Sequence, residues 1–305
     1  MIRYNVPVIG DRSGFQEIDF ELEKGIIGEV DNRAPVRDTK AAPYRFVCHL
    51  EIRQTGSDGS SRTTFGTGTL ISNRHVLTCG HNIRDRAGRV IYNAQRVAVT
   101  PGKNTSREQT FADRMSWTPF GSHITTNCAP HPQWRDHFNH HYDYGLITLP
   151  NDIGSKKFGF LNNRRLGYWG SAAEGGGTVL AAIDPETIRN KVVYVCGYPN
   201  DKCGDKPYNG VTCPKGQRGG TQFLAFDKVL DPRPPTEHRL LYHHADAKFG
   251  QSGGPIWRQE GNRWHFVGIE SSSESTFGQY TLHNVGVRIT TELLNELRNV
   301  LGWRV

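Results

Sequence analysis

A serine enclosed by glycines is the sequence feature that most constrains this chain. Residues 250–255 read Gly-Gln-Ser-Gly-Gly-Pro, with Ser252 at the centre. Glycine has no Cβ, so its backbone reaches conformations that other residues avoid. That freedom is useful where backbone N–H groups must converge on a negative charge developing beside a nucleophilic hydroxyl. The segment predicts Ser252 as a nucleophile, with the N–H groups of Gly250 and Ser252 as its oxyanion hole.

Two upstream segments supply the partners that a serine nucleophile needs. Residues 66–81 indicate a strand, a polar turn, and a second strand followed by a turn that carries His81. Residues 142–149 place Asp143 before an apolar alternating run, which predicts the mouth of a buried strand. A serine hydroxyl needs a base, and the base needs a group that orients it and stabilises its cation. His81, Asp143 and Ser252 fill these roles in that chain order.

With these residues the sequence resembles the trypsin/chymotrypsin-fold serine proteases, and most of all their glutamyl endopeptidase (V8-like) branch. Three further motifs carry the resemblance: Ile-Ile-Gly at 26–28, Gly-Tyr-Pro-Asn-Asp-Lys at 197–202, and Val-Gly-Val-Arg-Ile-Thr at 285–290. The resemblance implies two six-stranded antiparallel barrels with the active site in the cleft between them. It also implies a monomeric serine endopeptidase that cuts polypeptides through an acyl-enzyme, with no cofactor and no metal.

The distribution of apolar residues independently predicts an all-β protein. Short apolar runs, such as 46–50, 192–195 and 266–269, are separated by turn-forming residues, with 34 glycines and 16 prolines in the chain. Near the carboxyl end, leucines recur at helical spacing over 293–301, and Thr290 is a suitable cap. The fold class is therefore all-β with a C-terminal α-helix.

The resemblance and these patterns together predict three segments. Residues 1–25 form a leader or propeptide-like segment, because the family-like mature sequence begins after them. Residues 26–150 form the N-terminal barrel, which carries the histidine and the aspartate. Residues 151–305 form the C-terminal barrel, which carries the serine and ends in the helix.

The net charge of +7 does not by itself indicate a nucleic-acid partner. The basic residues are scattered, and no run of five or more like charges occurs. No apolar stretch approaches the ~20 residues needed to span a membrane, and residues 1–25 lack the apolar core of a signal peptide. We expect no nucleic-acid partner and no membrane insertion.

Six cysteines suggest disulfides and an oxidising, extracellular compartment. Cys203 and Cys213 bound a polar loop and are the preferred pair. By the fold that the resemblance implies, Cys48 and Cys79 lie on neighbouring strands and could pair. Cys128 and Cys196 are left over, and some of the six could instead be free core thiols.

Several histidines precede Asp143, but their spacing matches no metal motif. A solvent-exposed loop explains His131, His137, His140 and His141 better than a metal site does. The rival acid Asp136 has no apolar strand after it, which favours Asp143 as the triad acid.

The specificity pocket gives conflicting indications. In the fold implied by the resemblance, Asp246 and Glu270 occupy pocket positions. Glutamate-specific relatives have a histidine where this chain has Glu270, and a carboxylate there should repel glutamate and attract lysine or arginine. We predict Lys or Arg at the P1 position, which precedes the cleaved bond. A glutamate-specific enzyme is the alternative, and both acids could also point away into hydrogen-bond networks.

Two expectations concern the state of the enzyme. Proteases of this fold commonly use a newly freed amino terminus to complete the active site, and Lys24 precedes the family-like start. The intact chain is therefore predicted to be a zymogen with a loosely packed leader, although Ile18, Phe20 and Leu22 alternate like an ordinary strand. The alternative to an enzyme is a catalytically idle protease-like binding protein.

Overall fold

A computed structural model describes residues 2–6, 16–20, 25–27, 30–105, 117–171, 177–208, 213, 217–230, 238–274 and 283–304. The strands are β1 Ile2–Val6, β2 Gln16–Phe20, β3 Ala34–Pro35, β4 Val47–Gly56, β5 Ser61–Leu70, β6 His75–Thr78, β7 Arg84–Ala87, β8 Val90–Pro101, β9 His123–Thr125, β10 Cys128–Pro130, β11 Gly145–Thr148, β12 Thr178–Val179, β13 Val192–Gly197, β14 Lys202–Cys203, β15 Lys206–Pro207, β16 Phe223–Lys228, β17 Leu240–His243, β18 Pro255–Glu260, β19 Arg263–Glu274 and β20 His283–Arg288.

The helices are few and short among the described residues. The α-helices are α1 Gly80–Ile83, α2 Pro132–His137, α3 Pro185–Ile188 and α4 Thr291–Asn299. Single 3-10 turns cover Tyr44–Phe46, His140–Tyr142, Ile153–Ser155 and Gly159–Leu161. No helix in the described part of the chain is long and apolar enough to cross a membrane.

Two large sheets form the molecule, and they confirm the prediction of an all-β, double-barrel fold. In the first, the strand order is β10-β11-β6-β5-β4-β8-β7, with β9 paired to β8. In the second, the order is β17-β20-β19-β18-β13-β16-β3, with β12 paired to β19. Each described sheet has eight strands where six were expected, because short strands extend its edges. The pair β12–β19 is parallel, so the second sheet is not wholly antiparallel.

The central strands are buried along much of their length: all four residues of β6 and of β17 are buried. The core side of β4, for example, includes Leu50 and Ile52, which are at most 1% exposed. One buried cluster joins the two sheets, since it contains Leu70 and Val76 of the first sheet and Trp257 and Phe266 of the second. The active-site segments therefore rest on a continuous core.

The predicted C-terminal helix is confirmed as α4. Its N-cap is Thr290, whose side chain accepts a hydrogen bond from the N–H of Leu293 at 3.1 Å. Leu293 and Leu297 are buried against the main core. On the same helix, Glu296 accepts a hydrogen bond from the hydroxyl of Tyr144 in the N-terminal half. The helix thus fixes the chain directly after Asp143.

The described residues 25–27 and 30–35, which precede β4 and which we call the arm, end in a strand of the second sheet and not of the first. Ala34 and Pro35 of β3 pair with β16. The predicted boundary at residue 26 assigns the arm to the N-terminal barrel, whereas β3 pairs with a strand of the second sheet. The domain boundaries stay a prediction. Within the predicted leader, β1 and β2 pair as an antiparallel hairpin, and Leu22 and Lys24 lie outside the described residues.

One predicted disulfide forms and another does not. Cys203 and Cys213 are bonded, as predicted. Cys48 and Cys79 are buried and no disulfide joins them, so the pairing that the resemblance suggested is wrong. Strand β5 separates β4 from β6 in the sheet. The backbones of β4 and β6 are therefore two strand spacings apart, about 10 Å, whereas a disulfide allows a Cα separation of at most about 7 Å. The left-over pair is also free, Cys128 half-buried and Cys196 buried.

Candidate active site

The structure brings His81 and Asp143 into direct contact. His81 lies in α1, directly after β6, and Asp143 directly precedes β11, which pairs with β6. Both carboxylate oxygens face the histidine: Oδ1 accepts the backbone N–H of His81 at 2.8 Å, and Oδ2 lies 2.7 Å from Nδ1. These two contacts fix the orientation of the imidazole ring. They use the backbone N–H and Nδ1, so Nε2 of His81 is the ring nitrogen that remains for proton transfer.

Ser271 is a third member of this contact that the sequence reasoning missed. Its hydroxyl donates to Asp143 Oδ2 at 2.5 Å across the interface between the two sheets. Burial alone would raise the pKa of Asp143, but the charge of His81 and the hydrogen bonds from His81 and Ser271 lower it to about 2. The carboxylate is therefore ionised at neutral pH. The signal was the run of serines after Glu270, which carries no meaning without the fold.

The rival acid is at the surface, but the expectation of a solvent-exposed loop for the four histidines is wrong: His131 is buried, His140 and His141 are partly buried, and His137 is the one of the four that is exposed. Asp136 is exposed in α2 and pairs with Arg135 at 2.8 Å. His131 caps α2 by accepting the N–H of Gln133, and its ring stacks on Tyr142. Burial beside Trp134 lowers the pKa of His140 to about 4. His137 and His141 belong to the same turns.

One group of described residues has the geometry to hold a metal ion, and it overlaps the dyad. Cys79, His81 and Asp143 each offer a ligand atom within 4.8 Å of the others. The Cys79 thiol already contacts the carbonyl of Glu270 at 3.0 Å. Because the carboxylate is bonded to His81 and Ser271, hydrogen bonding explains this group without a metal.

The loop that carries Ser252 is held by bonds from the first sheet. The carbonyl of Ser252 accepts hydrogen bonds from the N–H of Thr67 at 2.8 Å and from Asn82 Nδ2 at 2.9 Å. The carbonyl of Gly250 accepts the hydroxyl of Thr67 at 2.7 Å. His81, Gly250 and Ser252 line one cleft of about 390 Å³. The candidate base, nucleophile and oxyanion loop thus share one surface.

Two glycines of this loop have backbone conformations that disfavour any side chain. Gly250 has φ +93°, and a Cβ would lie 2.3 Å from the carbonyl oxygen of Tyr198. Gly253 has φ +86°, and a Cβ would lie 2.1 Å from the carbonyl oxygen of Thr67. The glycines of the motif are therefore required by backbone approach as well as by backbone conformation.

Both predicted pocket acids are fully buried and already have partners. The Asp246 carboxylate accepts backbone N–H groups from Ile27 at 2.7 Å and Asn32 at 2.8 Å, and burial raises its pKa above the usual value. Glu270 Oε2 lies 2.9 Å from Nε2 of His243, and neither side chain is exposed. The alternative that these acids enter hydrogen-bond networks therefore describes their positions in this structure.

The arm that contacts Asp246 also reaches the residue before the nucleophile. The backbone of Gly25 exchanges hydrogen bonds with the Asn284 side chain at 2.9 Å. Further along, the buried guanidinium of Arg33 pairs with Asp31 and Asp201 and contacts Gln251 Oε1 at 3.3 Å. Sequence reasoning missed this contact because its partners are 168 and 218 residues away.

Comparisons with known proteins agree on the fold. The family model described as "Trypsin-like peptidase domain" matches residues 66–269. A solved structure titled "Structure of Glu endopeptidase in complex with MPD" aligns with a TM-score of 0.62 and 22% identity, covering 91% of this chain and all of that one.

Two further solved structures give the same result. The "HL collagenase" structure aligns with a TM-score of 0.55 and 17% identity, over 90% of this chain and all of that one. The protease Anisep from Arthrobacter nicotinovorans aligns with a TM-score of 0.53 and 14% identity, over 92% and 99%. No curated protein sequence matches the chain significantly.

Proposed function

The chain belongs to the trypsin-like peptidase family, and on that premise we propose that it is a serine endopeptidase with His81, Asp143 and Ser252 as its triad. Ser252 attacks the scissile carbonyl, His81 takes its proton, and Asp143 orients His81 and stabilises its cation. The N–H groups of Gly250 and Ser252 bind the oxyanion. The bidentate contact of Asp143 with His81, which lines the same cleft as Ser252, carries this proposal.

A serine-directed probe tests the proposal. An organophosphonate should label the wild-type protein and the Ser155→Ala variant, in which an exposed serine is removed. Folded Ser252→Ala should remain unlabelled. If neither the folded full chain nor a folded chain that starts at Ile27 takes up label or cuts a peptide in a mixed library, the protein is an idle protease-like binding protein instead.

We propose that the enzyme prefers lysine or arginine at P1. Two carboxylates, Asp246 and Glu270, occupy the positions that the resemblance assigns to the P1 pocket. Opposite charges attract most strongly where water is excluded. Glu270→Gln should reduce the ratio of kcat/KM for Lys over Glu peptides, whereas Asp58→Asn, on an exposed turn, should not change it. An unchanged ratio in Glu270→Gln would contradict this role.

Cleavage after glutamate is the second candidate, and His243 favours it. Its imidazole lies 2.9 Å from Glu270, and a histidine ring N–H is a donor that an acidic side chain can accept. The aligned structure titled Glu endopeptidase is consistent with this alternative. A P1 peptide library separates the two: a preference for Glu that His243→Gln removes would support the glutamyl enzyme and refute the basic preference.

Latency of the intact chain also stays a proposal. The amide N of Ile27 lies 2.7 Å from Asp246 Oδ1. A cut before Ile27 would replace this neutral donor with an ammonium, and charge-assisted hydrogen bonds are roughly twice as strong. A chain that starts at Ile27 should be more active than the full chain, and Asp246→Asn should remove that gain. Equal activity of the two chains would contradict latency.

The expected surroundings follow from the same reading. We propose polypeptide substrates, a monomer, and an extracellular location, which the Cys203–Cys213 bond supports. A reducing compartment would keep Cys203 and Cys213 as thiols. Thiol counting on the protein purified from its native source tests the location, and an intact Cys203–Cys213 bond supports an extracellular one.

A further inference from the structure

The cleft that contains His81 and Ser252 has aromatic and charged side chains in its lining. They include Phe65 of β5, and Phe249 and Arg218 from the C-terminal half of the chain. Neither Asp246 nor Glu270 belongs to this lining. The cleft is therefore a second binding region beside the reacting groups, which we call the leaving-side cleft.

The leaving-side cleft takes the part of the substrate that follows the scissile bond. His81 donates its proton to the leaving amine in the proposed mechanism, and His81 lines this cleft. The proposed P1 pocket, with Asp246 and Glu270, takes the side chain before the cut instead. A chain crossing the oxyanion loop thus places the residues after the cut between Phe65 and Phe249.

The charges that line this cleft leave one cation uncompensated. Arg62 is already engaged, with Nη2 2.6 Å from Asp85 and Nε 2.7 Å from Gln54. Arg218 is exposed, and its Nε donates to the carbonyl of Asn200 at 3.1 Å. Among the residues that the structure describes, no carboxylate pairs with Arg218.

Arg218 is also held in place. Its guanidinium lies 4.2 Å from the ring centre of Tyr208, within the range of a cation–π contact. This contact and the bond to Asn200 reduce the entropy lost when a ligand binds. We propose that the leaving-side cleft selects peptides with an aspartate or glutamate within the first three residues after the scissile bond, and that Arg218 is the residue that recognises it.

The aromatic walls complete the substrate description. Phe249 is 50% exposed and immediately precedes Gly250, and Phe65 is half-buried in the same lining. Apolar surface at a binding site favours apolar contact. The preferred leaving segment therefore combines one apolar residue with one acidic residue. This inference rests on the proposed peptidase function.

The test compares peptides that differ only after the cut. Internally quenched peptides carry a fixed Lys or Glu at P1 and Asp, Gln or Lys at the second or third following position. We expect kcat/KM to be about two- to fivefold higher for Asp than for Gln, the range of an exposed ion pair. Arg218→Gln should abolish this preference, Arg218→Glu should reverse it, and salt should weaken it.

A matched variant separates Arg218 from the overall charge. Arg165 is exposed and outside the cleft, so Arg165→Glu changes the net charge equally and should keep the wild-type preference. An active wild type without the acidic preference, or the same reversal in Arg165→Glu, would overturn the inference.

A binding measurement distinguishes failure of this inference from failure of the proposed function. Acidic and basic hexapeptides are titrated against Ser252→Ala and Ser252→Ala/Arg218→Gln by calorimetry. Tighter binding of the acidic peptide that needs Arg218 supports the cleft even if no peptide is hydrolysed. Hydrolysis by the wild type with equal binding of both peptides supports the peptidase and refutes the cleft.

Discussion

Alanine in place of Gly250 would change the oxyanion loop at its most crowded point. A Cβ there would lie 2.3 Å from the carbonyl oxygen of Tyr198 and 2.8 Å from Oδ1 of Asn200. The Asn200 side chain can rotate, but Tyr198 directly follows β13, is fully buried, and donates its N–H to Thr67 Oγ1 at 3.0 Å, so its backbone is held on the side next to the clashing carbonyl. The loop must therefore move, and the N–H of Gly250 moves with it.

Gly59 provides the matched control for this change. Its φ is +82°, close to the +93° of Gly250, but no atom lies within 4 Å of the Cβ that alanine would add. The cost of a left-handed conformation, about 1–2 kcal/mol for a non-glycine residue, is common to both variants. Only Gly250→Ala adds the collision.

The two variants should differ in activity more than in stability. We expect Gly59→Ala to lower the free energy of unfolding by about 1–2 kcal/mol with unchanged kcat. Gly250→Ala should lower it by at least as much and should reduce kcat about 10²–10³-fold, the effect of losing one oxyanion donor.

Urea unfolding and steady-state hydrolysis of one peptide substrate measure both quantities. Active-site titration with the phosphonate corrects for unfolded protein. If Gly250→Ala keeps wild-type kcat, the N–H of Gly250 does not stabilise the oxyanion. If Gly59→Ala loses activity equally, the loss follows from global destabilisation.

Two further predictions concern buried charge. The pKa of Asp143 is lowered from 3.8 to about 2, so the ionised carboxylate stabilises the fold fully above pH 3.8, and this stabilisation is lost as the pH falls through 2. The Ser271→Ala variant should lose less free energy of unfolding between pH 5 and pH 2.5 than the wild type does. Urea unfolding at the two pH values measures both losses. Equal losses would mean that Ser271 does not hold the carboxylate. Arg33→Met should cost about 2–3 kcal/mol, less than a fully buried pair because Asp31 and Asp201 keep 31% and 38% of their side-chain exposure. Arg33→Lys should recover only part of it, since lysine lacks the bidentate fork, and wild-type stability of Arg33→Met would contradict this reasoning.

The sequence allowed the triad candidates to be chosen because each carries a local signature. Ser252 lies among glycines, and Asp143 opens an apolar strand, whereas Asp136 lies in a polar helix. Ser271 had no such signature. Its contact with Asp143 spans 128 residues and depends on how β19 packs against the first sheet. A long-range hydrogen bond of this kind follows from topology and not from residue type.

The pocket acids show the same limit from the opposite side. The family resemblance assigned Asp246 and Glu270 to the specificity pocket, but it did not indicate which groups would meet them. The arm supplies two amides to Asp246, and β17 supplies an imidazole to Glu270. Because a buried carboxylate must find partners, the partners decide how much negative charge is left for a substrate. The proposed P1 preference therefore rests on the arm and on His243 as much as on the acids themselves.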